Sequence, residues 1–306
     1  MKKKREYVTD EVEALIEKNI ARARPIPTSD AKARRTRAEA NRKDAALARK
    51  ALSGGGLDLK RLDTLARERA KARRARTAEQ RRRAVEASAA VDRRLTGLTP
   101  VLPADPMNVI IDRVTFIRSF ADAGVVTDSH IGSLDSWAKY KLKPSSGAIT
   151  KTGLGRLSFF VLWQNPRTEA IVANVGPRVH VNAHLSVDAD WNGVAAWFIG
   201  GSEARATVRA RTTVWAMWDS SVQAIVSDLI LGSAGATGGF FGGDDSTSFA
   251  FNQFIPGSGF FVPAQASVLI EVSLLTEYEL TSGSLDLDAA SGAFKVAVPH
   301  LIITVT

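Results

Sequence analysis

Hydrophobic and polar positions change their period near residue 100 of this 306-residue chain. Before it, apolar residues recur every three or four positions, which predicts helices over about 10–24, 30–52 and 58–95. Asp58 is placed to cap the third helix, because an aspartate side chain can accept a hydrogen bond from a backbone N–H of the first turn. After residue 100, apolar and polar residues alternate, which predicts β-strands.

The clearest alternation spans residues 178–188, where every second residue is apolar (Val179, Val181, Ala183, Leu185 and Val187). The same pattern recurs at 203–218, 267–280 and 293–305, with shorter candidates near 108–118, 136–143, 156–163, 168–175, 194–199 and 222–231. Roughly ten to twelve strands without helical crossovers predict an antiparallel sandwich or jelly roll. The predicted fold class is α+β in separate regions: a basic helical region over 1–95, a proline-rich linker over 96–106, and an all-β antiparallel sandwich or jelly-roll-like domain over 107–306.

The net charge and the number of aromatic residues also change near residue 100. Residues 1–100 carry 28 Lys or Arg against 14 Asp or Glu, a net charge of +14, whereas residues 101–306 carry 13 against 18, a net −5. Tyr7 is the only aromatic residue before residue 100. The chain contains no cysteine, which excludes disulfides, thiolate metal sites and cysteine nucleophiles. The first part therefore lacks the bulky side chains that fill a core, and the second part has them.

The basic stretch 67–84 is the principal candidate site. Its basic side chains fall at nearly every angle around a helix axis, so no dry face is expected, and the helix is either a solvated spacer or a polyanion contact. The absence of aromatic residues argues against base stacking, so a nucleic acid would be held through its phosphates, with little dependence on sequence. The candidate polyanion-binding residues are Arg67, Arg69, Lys71, Arg73, Arg74, Arg76, Arg81, Arg82 and Arg83.

A second candidate lies at residues 188–193, where Asp188, Asp190 and Asn192 match the opening of an EF-hand calcium loop. The twelfth position, which should supply a glutamate, is Ile199, so no metal is favoured, and the Asn-Gly pair equally predicts a hairpin turn. Three aromatic residues are candidates for contact with a partner or ligand. Phe240 and Phe241, in a glycine-rich loop, either contact a partner or tuck under the sandwich edge, and Trp191, beside the hairpin tip, is either a sugar-stacking platform or a lid on the core.

No motif of an active site is present. The segment 153–156 lacks the further glycine and the lysine of a phosphate loop, and no nucleophile elbow or zinc-protease motif occurs. Glu271, Glu277 and Glu279 share one alternating face, where solvated charge is expected. The sequence therefore predicts a protein that is not an enzyme and has no cofactor.

A basic arm, a short proline-rich connector and an antiparallel sandwich are similar in architecture to coat proteins of small RNA viruses. We accordingly expect an assembly protein whose arm binds nucleic acid or another polyanion and whose sandwich mediates self-association, as a homo-oligomer or a larger assembly, or binds a partner. The alternatives are a lectin-like or adhesin-like recognition module and a delivered effector with a basic packaging leader. No signal peptide and no membrane span are evident, which predicts cytoplasmic synthesis and allows incorporation into a particle.

Overall fold

The computed structural model describes residues 50, 53–56, 58–95, 108–120, 124–147, 150–190, 202–219, 223–238 and 243–305. Within them, a long helix is followed by fifteen strands, which confirms the predicted fold class. The predicted linker and the two upstream helices lie outside the described residues, apart from a few positions between 50 and 56. The elements are α1 (Leu59–Leu95), β1 (Asn108–Ile111), β2 (Phe116–Phe120), β3 (Gly124–His130), β4 (Trp137–Leu142), β5 (Ser145–Ser146), β6 (Lys151–Gln164), β7 (Ile171–Ala189), β8 (Glu203–Ala216), β9 (Gln223–Thr237), β10 (Gly243–Phe254), β11 (Gly259–Val262), β12 (Ser267–Thr281), β13 (Gly283–Ala289), β14 (Lys295–Ala297) and β15 (Leu301–Val305).

Helix α1 begins where its cap was predicted. The Asp58 carboxylate accepts a hydrogen bond from the backbone N–H of Arg61 at 3.0 Å, and the Asp58 carbonyl accepts the N–H of Leu62 at 3.2 Å. These bonds satisfy donors of the first turn that have no partner inside the helix. Across the part of the chain that the structure describes, no helix is both long and apolar enough to cross a membrane.

The strands form two antiparallel sheets. One has ten strands arranged around the 19-residue β7, and the other has five in the order β2-β6-β12-β8-β9. Strand β7 pairs with β11 and β15 along its first part and with β10, β13 and β14 along its second part. The predicted strands 168–175 and 178–188 are one strand, because their alternation stays in phase from Val175 through Pro177 to Val179.

Other predicted strand boundaries were corrected in the same way. The predicted strand 108–118 divides into β1 and β2, and 293–305 divides into β14 and β15 on either side of Pro299, which has no N–H for a ladder. Strands β3, β5, β10, β11 and β13 were not predicted. Polar residues break the alternation in β3 and β10, and β5 and β11 are only two and four residues long, whereas β13 alternates cleanly and could have been predicted. The predicted strand 194–199 lies outside the described residues.

The hydrophobic core lies between the two sheets. The apolar face predicted for 178–188 is confirmed: its five residues are at most 2% exposed. They meet alternate residues of β12, such as Ile270 and Val272, and of β6, such as Leu157 and Phe159, in one continuous cluster. The inner face of each sheet therefore forms the hydrophobic core, and the outer face of each sheet makes other contacts.

Candidate functional site

An acidic surface lies on the outer face of the ten-stranded sheet. It is formed by Asp188 of β7, Asp244 of β10, and Asp286 and Asp288 of β13, and we call these four residues the acidic face. The strand register brings them together: Asp244 lies directly across from Asp188 on one side of β7, and Asp286 lies across from Ser186 on the other. Four carboxylates on neighbouring strands repel one another unless cations balance them.

Helix α1 supplies most of those cations, and Lys143 Nζ, 2.9 Å from Asp286 Oδ2, supplies another. Arg73 Nε lies 3.3 Å from Asp244 Oδ1, and Arg81 Nη1 lies 3.1 Å from Asp286 Oδ2 and 3.4 Å from Asp288 Oδ2. The Arg73 side chain is 12% exposed and that of Asp288 is 1% exposed, so these pairs are partly withdrawn from water. Part of the basic stretch therefore binds a polyanionic surface that belongs to its own chain.

The expectation that α1 has no dry face was wrong. Arg73, Thr77, Arg81, Ala84 and Ser88, spaced by three or four residues, are half-buried or buried and form a docked stripe. Small residues in this stripe let the helix approach the sheet, while the long arginine side chains carry their charges to the carboxylates. The stripe was hidden in the sequence because it contains no large apolar residue.

Further contacts hold the helix in register. Ser246 donates a hydrogen bond to Gln80 at 2.8 Å, and Arg74 Nε lies 3.9 Å from Asp188 Oδ2. Near the end of the stripe, a Cβ atom added to Gly292 would lie only 2.5 Å from Val85 Cγ1, so the helix packs closely against this glycine. A charged cavity of about 240 Å³ remains between helix and sheet.

Burial is the largest single influence on the pKa values of Asp188, His184 and Asp288 at this interface. Burial raises the pKa of Asp188, and the neighbouring Asp190 raises it further. Burial lowers the pKa of His184, and nearby Arg81 lowers it further. At Asp288, burial alone would raise the pKa, but hydrogen bonds from Ser291 and the Ala290 N–H, together with Arg81, hold it below its usual value. The charged form of Asp288 is therefore favoured by local hydrogen bonds and by α1, whereas burial disfavours the charged form of Asp188.

The remaining predicted residues of the basic stretch are exposed on the helix. Arg67, Lys71 and Arg76 make no ion pair with any residue that the structure describes. Arg82 and Arg83 both donate to Glu79 at 2.9 Å, and the bonds from Arg82 and then Arg83 lower the pKa of Glu79 to about 2. The nine predicted residues thus divide into those that bind the acidic face and those directed to solvent. The solvent-facing set is Arg67, Arg69, Lys71, Arg74, Arg76, Arg82 and Arg83, with Arg74 at the boundary.

The other predicted site residues are only partly described. Trp191, Asn192, Phe240 and Phe241 lie outside the described residues. Asp188, the first residue of the calcium candidate, is described, and its carboxylate lies near the cationic side chain of Arg74. Within the described ranges, no group of three or more His, Asp or Glu residues is suited to hold a metal ion.

A buried ion pair on the outer face of the five-stranded sheet was not predicted. Glu271, which was expected to be solvated, is fully buried, and Arg156 binds it through Nε at 2.7 Å and through Nη2. Ser158 and Trp215 also donate to this carboxylate, at 2.5 and 3.1 Å. The available signal was the isolation of Glu271 within an apolar run of β12, where a carboxylate requires a partner.

No family model matches the sequence, and no curated protein matches it. One similar solved structure is described as TmCBM61 in complex with beta-1,4-galactotriose. It is 11% identical to this chain, the match covers 57% of this chain and 90% of that one, and the TM-score is 0.16. A TM-score this low supports no statement about ligand or function.

Proposed function

We propose that this chain is a non-enzymatic assembly protein. In this proposal, the solvent-facing side chains of α1 bind nucleic acid or another polyanion, and the sandwich associates with further copies or with a partner. Incorporation into a particle follows from the same two activities.

The observation that carries the proposal is the excess of basic side chains left on the solvent side of α1. Within residues 67–84, seven exposed basic residues stand against two exposed or half-exposed glutamates, Glu68 and Glu79, a net charge of +5. Arg73 and Arg81 are excluded from this count because they already face carboxylates of the sheet.

Docking on the sandwich also favours polyanion binding. An isolated helix with this charge density opposes its own formation by like-charge repulsion. Pairing with the acidic face removes part of that repulsion, and it also neutralises carboxylates that would otherwise repel an approaching phosphate chain. The solvent-facing set is therefore presented on a helix that is already formed.

Salt dependence of duplex binding tests the proposal. Each neutralised phosphate contributes about 0.9 to the slope of log K against log salt, so five contacts give a slope near 4.5 and roughly a 500-fold loss between 50 and 200 mM salt. Replacing Arg67, Lys71 and Arg76 by Gln should lower the slope by up to about 2.7.

The matched control conserves charge at the same positions. Arg67→Lys, Lys71→Arg and Arg76→Lys together should retain the full slope, because phosphate contact depends on charge and on position. An equal slope in the Gln variant and the parent would show that these residues do not contact the polyanion. Light scattering on the same nuclease-treated samples tests the self-association part, which requires a mass above the 32.9 kDa of one chain.

A further inference from the structure

The outer face of the five-stranded sheet carries an ordered array of polar and apolar residues. Strands β6, β12 and β8 run side by side, and their register places residues from the three strands in transverse rows. Successive rows are about 7 Å apart and neighbours within a row about 5 Å apart. The four rows are Thr152–Glu279–Arg205, Leu154–Glu277–Thr207, Arg156–Leu275–Arg209 and Ser158–Ser273–Arg211.

Residues of these rows other than Ser158, Ser273 and Arg209 line a cleft of about 540 Å³, within the range of roughly 300–1,000 Å³ that is typical of ligand pockets. The mouth is solvent-exposed: the Arg205 side chain is 68% exposed and that of Glu277 is 51% exposed. The inner end is buried, with Arg156 and Leu275 at 6% and 3%. The cleft therefore has an open end and a walled end along about 20 Å of sheet.

The inner wall is fixed by the ion pair between Arg156 and Glu271. A fully desolvated pair on the outer face of a sheet is costly, and hydrophobic residues of similar size would stabilise that position as well or better. Glu271 engages Nε and Nη2 of Arg156, so the charge is neutralised while no described residue accepts from Nη1. Arg156 is thus held as a rigid, charge-balanced donor.

Most charged side chains along the cleft are also paired with side chains of opposite charge. Arg211 is paired with Asp228 at 2.8 Å, and Arg209 lies 3.7 Å from the same carboxylate. Glu277 lies 3.6 Å from Arg209, too far for a strong hydrogen bond, so its oxygens can accept from a ligand.

The side chain of Glu279 makes no hydrogen bond or ion pair with the residues that the structure describes. It provides a second acceptor, two residues from Glu277 on the same face of β12. Leu154 and Leu275 supply apolar surface between these groups. A complementary ligand is consequently uncharged, carries closely spaced donors and acceptors, and has apolar faces between them.

We propose that this cleft binds a neutral oligosaccharide. Adjacent hydroxyl groups of a sugar can donate to Glu279 and accept from Arg205 in the same row, or donate to Glu277 and accept from Arg209 in the next row. The C–H faces of the ring can cover Leu154 and Leu275. Charge-assisted hydrogen bonds of this kind are stronger than neutral ones, which provides affinity without a net charge on the ligand. This binding site is separate from the proposed polyanion contact on α1, which lies on the other sheet.

A polyanionic ligand fits the cleft less well. Two exposed glutamates at the mouth repel sulfate or phosphate groups, and the arginines behind them already face Asp228 and Glu271. Sulfated glycans should therefore bind, if at all, through α1 and with steep salt dependence.

An array of defined oligosaccharides, carrying neutral hexose oligomers of increasing length beside sialylated and sulfated ones, provides the probes. The full-length protein should retain at least one neutral oligomer. Calorimetry with that oligomer should give the same affinity at low and high salt, and Glu277→Gln should weaken binding by about tenfold or more.

Glu169→Gln serves as the control, because Glu169 is an exposed glutamate outside the cleft whose removal changes the charge equally. It should leave the affinity for the oligomer unchanged, as should the Gln variant of Arg67, Lys71 and Arg76. Retention of no neutral oligomer, or equal affinity in Glu277→Gln and the parent, would overturn the assignment. Neither result would bear on duplex binding by α1.

Discussion

Docking of α1 on the acidic face gives the most direct quantitative expectation. Replacing Arg73 and Arg81 together by Gln removes the cations of three ion pairs while the side chains keep much of their length. Hydrogen bonds to charged groups contribute about 1.5–3 kcal/mol, and exposed ion pairs about 0–1 kcal/mol. Arg81 donates a hydrogen bond to Asp286 but is 35% exposed. Arg73 forms an ion pair rather than a hydrogen bond through Nε with Asp244, but it is only 12% exposed, so we expect about 2–4 kcal/mol for the two together.

Amide hydrogen exchange measures this loss locally. If the helix opens without unfolding the sandwich, amides in the docked stripe should exchange roughly 30- to 700-fold faster, since each 1.4 kcal/mol corresponds to a factor of ten. Amides of the core strands β6 and β12 should keep their protection. The charge-matched control is Arg67→Gln with Arg76→Gln on the solvent side, which should leave exchange in the stripe unchanged.

A double-mutant cycle separates pairing from general disturbance. Arg73→Gln and Asp244→Asn should each weaken docking, and the pair should show a coupling free energy of about 1 kcal/mol. A coupling near zero, with equal exchange in the docked and solvent-side variants, would refute the view that these ion pairs hold the helix on the sheet.

Three further expectations follow from the same contacts. Glu79→Gln should strengthen duplex binding and steepen its salt slope, measured as in the parent, because the variant frees two arginines and removes a charge held ionised by a pKa of about 2. The melting temperature should fall as pH drops from 7.5 to 5.5. Burial lowers the pKa of His184 and His300 in the folded protein, so the unfolded chain binds more protons than the folded one as pH falls below about 6.5. Substituting both histidines by Gln should flatten this dependence of melting temperature on pH. Gly292→Ala should destabilise by about 1–2 kcal/mol in chemical denaturation, because Gly292 has φ +59° and its added methyl would meet Val85 at 2.5 Å.

The elements that could be predicted from sequence depend on local patterns. Alternation in 178–188 identified both the strand and its buried face, because the pleat alone decides which residues share a side. Asp58 identified the start of α1, because a cap acts within one turn. Strand β10 was not predicted, because it begins with Gly243, Asp244 and Asp245 and has no large apolar residue before Phe249. Strand β13 alternates cleanly from Ser284 to Ala289, so its pattern was available in the sequence.

The sites could not be predicted in the same way, because they depend on strand register. Asp244 is 56 residues from Asp188 in sequence and directly opposite it in the sheet, and no local pattern reveals that pairing. The basic stretch was predicted to contact nucleic acid or another polyanion, but the acidic face that receives Arg73 and Arg81 exists only after β7, β10 and β13 have paired. Glu271 was assigned to solvent by alternation, which distinguishes two faces of a strand but does not show which face is covered.

Docking of α1 and its proposed polyanion contact should respond differently to salt. Its pairs with the acidic face are partly buried, and buried pairs are screened much less than exposed ones, so the helix should stay docked over a range in which an exposed phosphate contact is lost. Arg74 is the exception, since its side chain is 73% exposed and lies 3.9 Å from Asp188. A polyanion bound to the solvent side can draw Arg74 away from the sheet without displacing Arg73 or Arg81. If α1 binds a polyanion as proposed, binding and docking compete for one arginine and not for the whole helix, which allows the sandwich to remain attached while the helix is occupied.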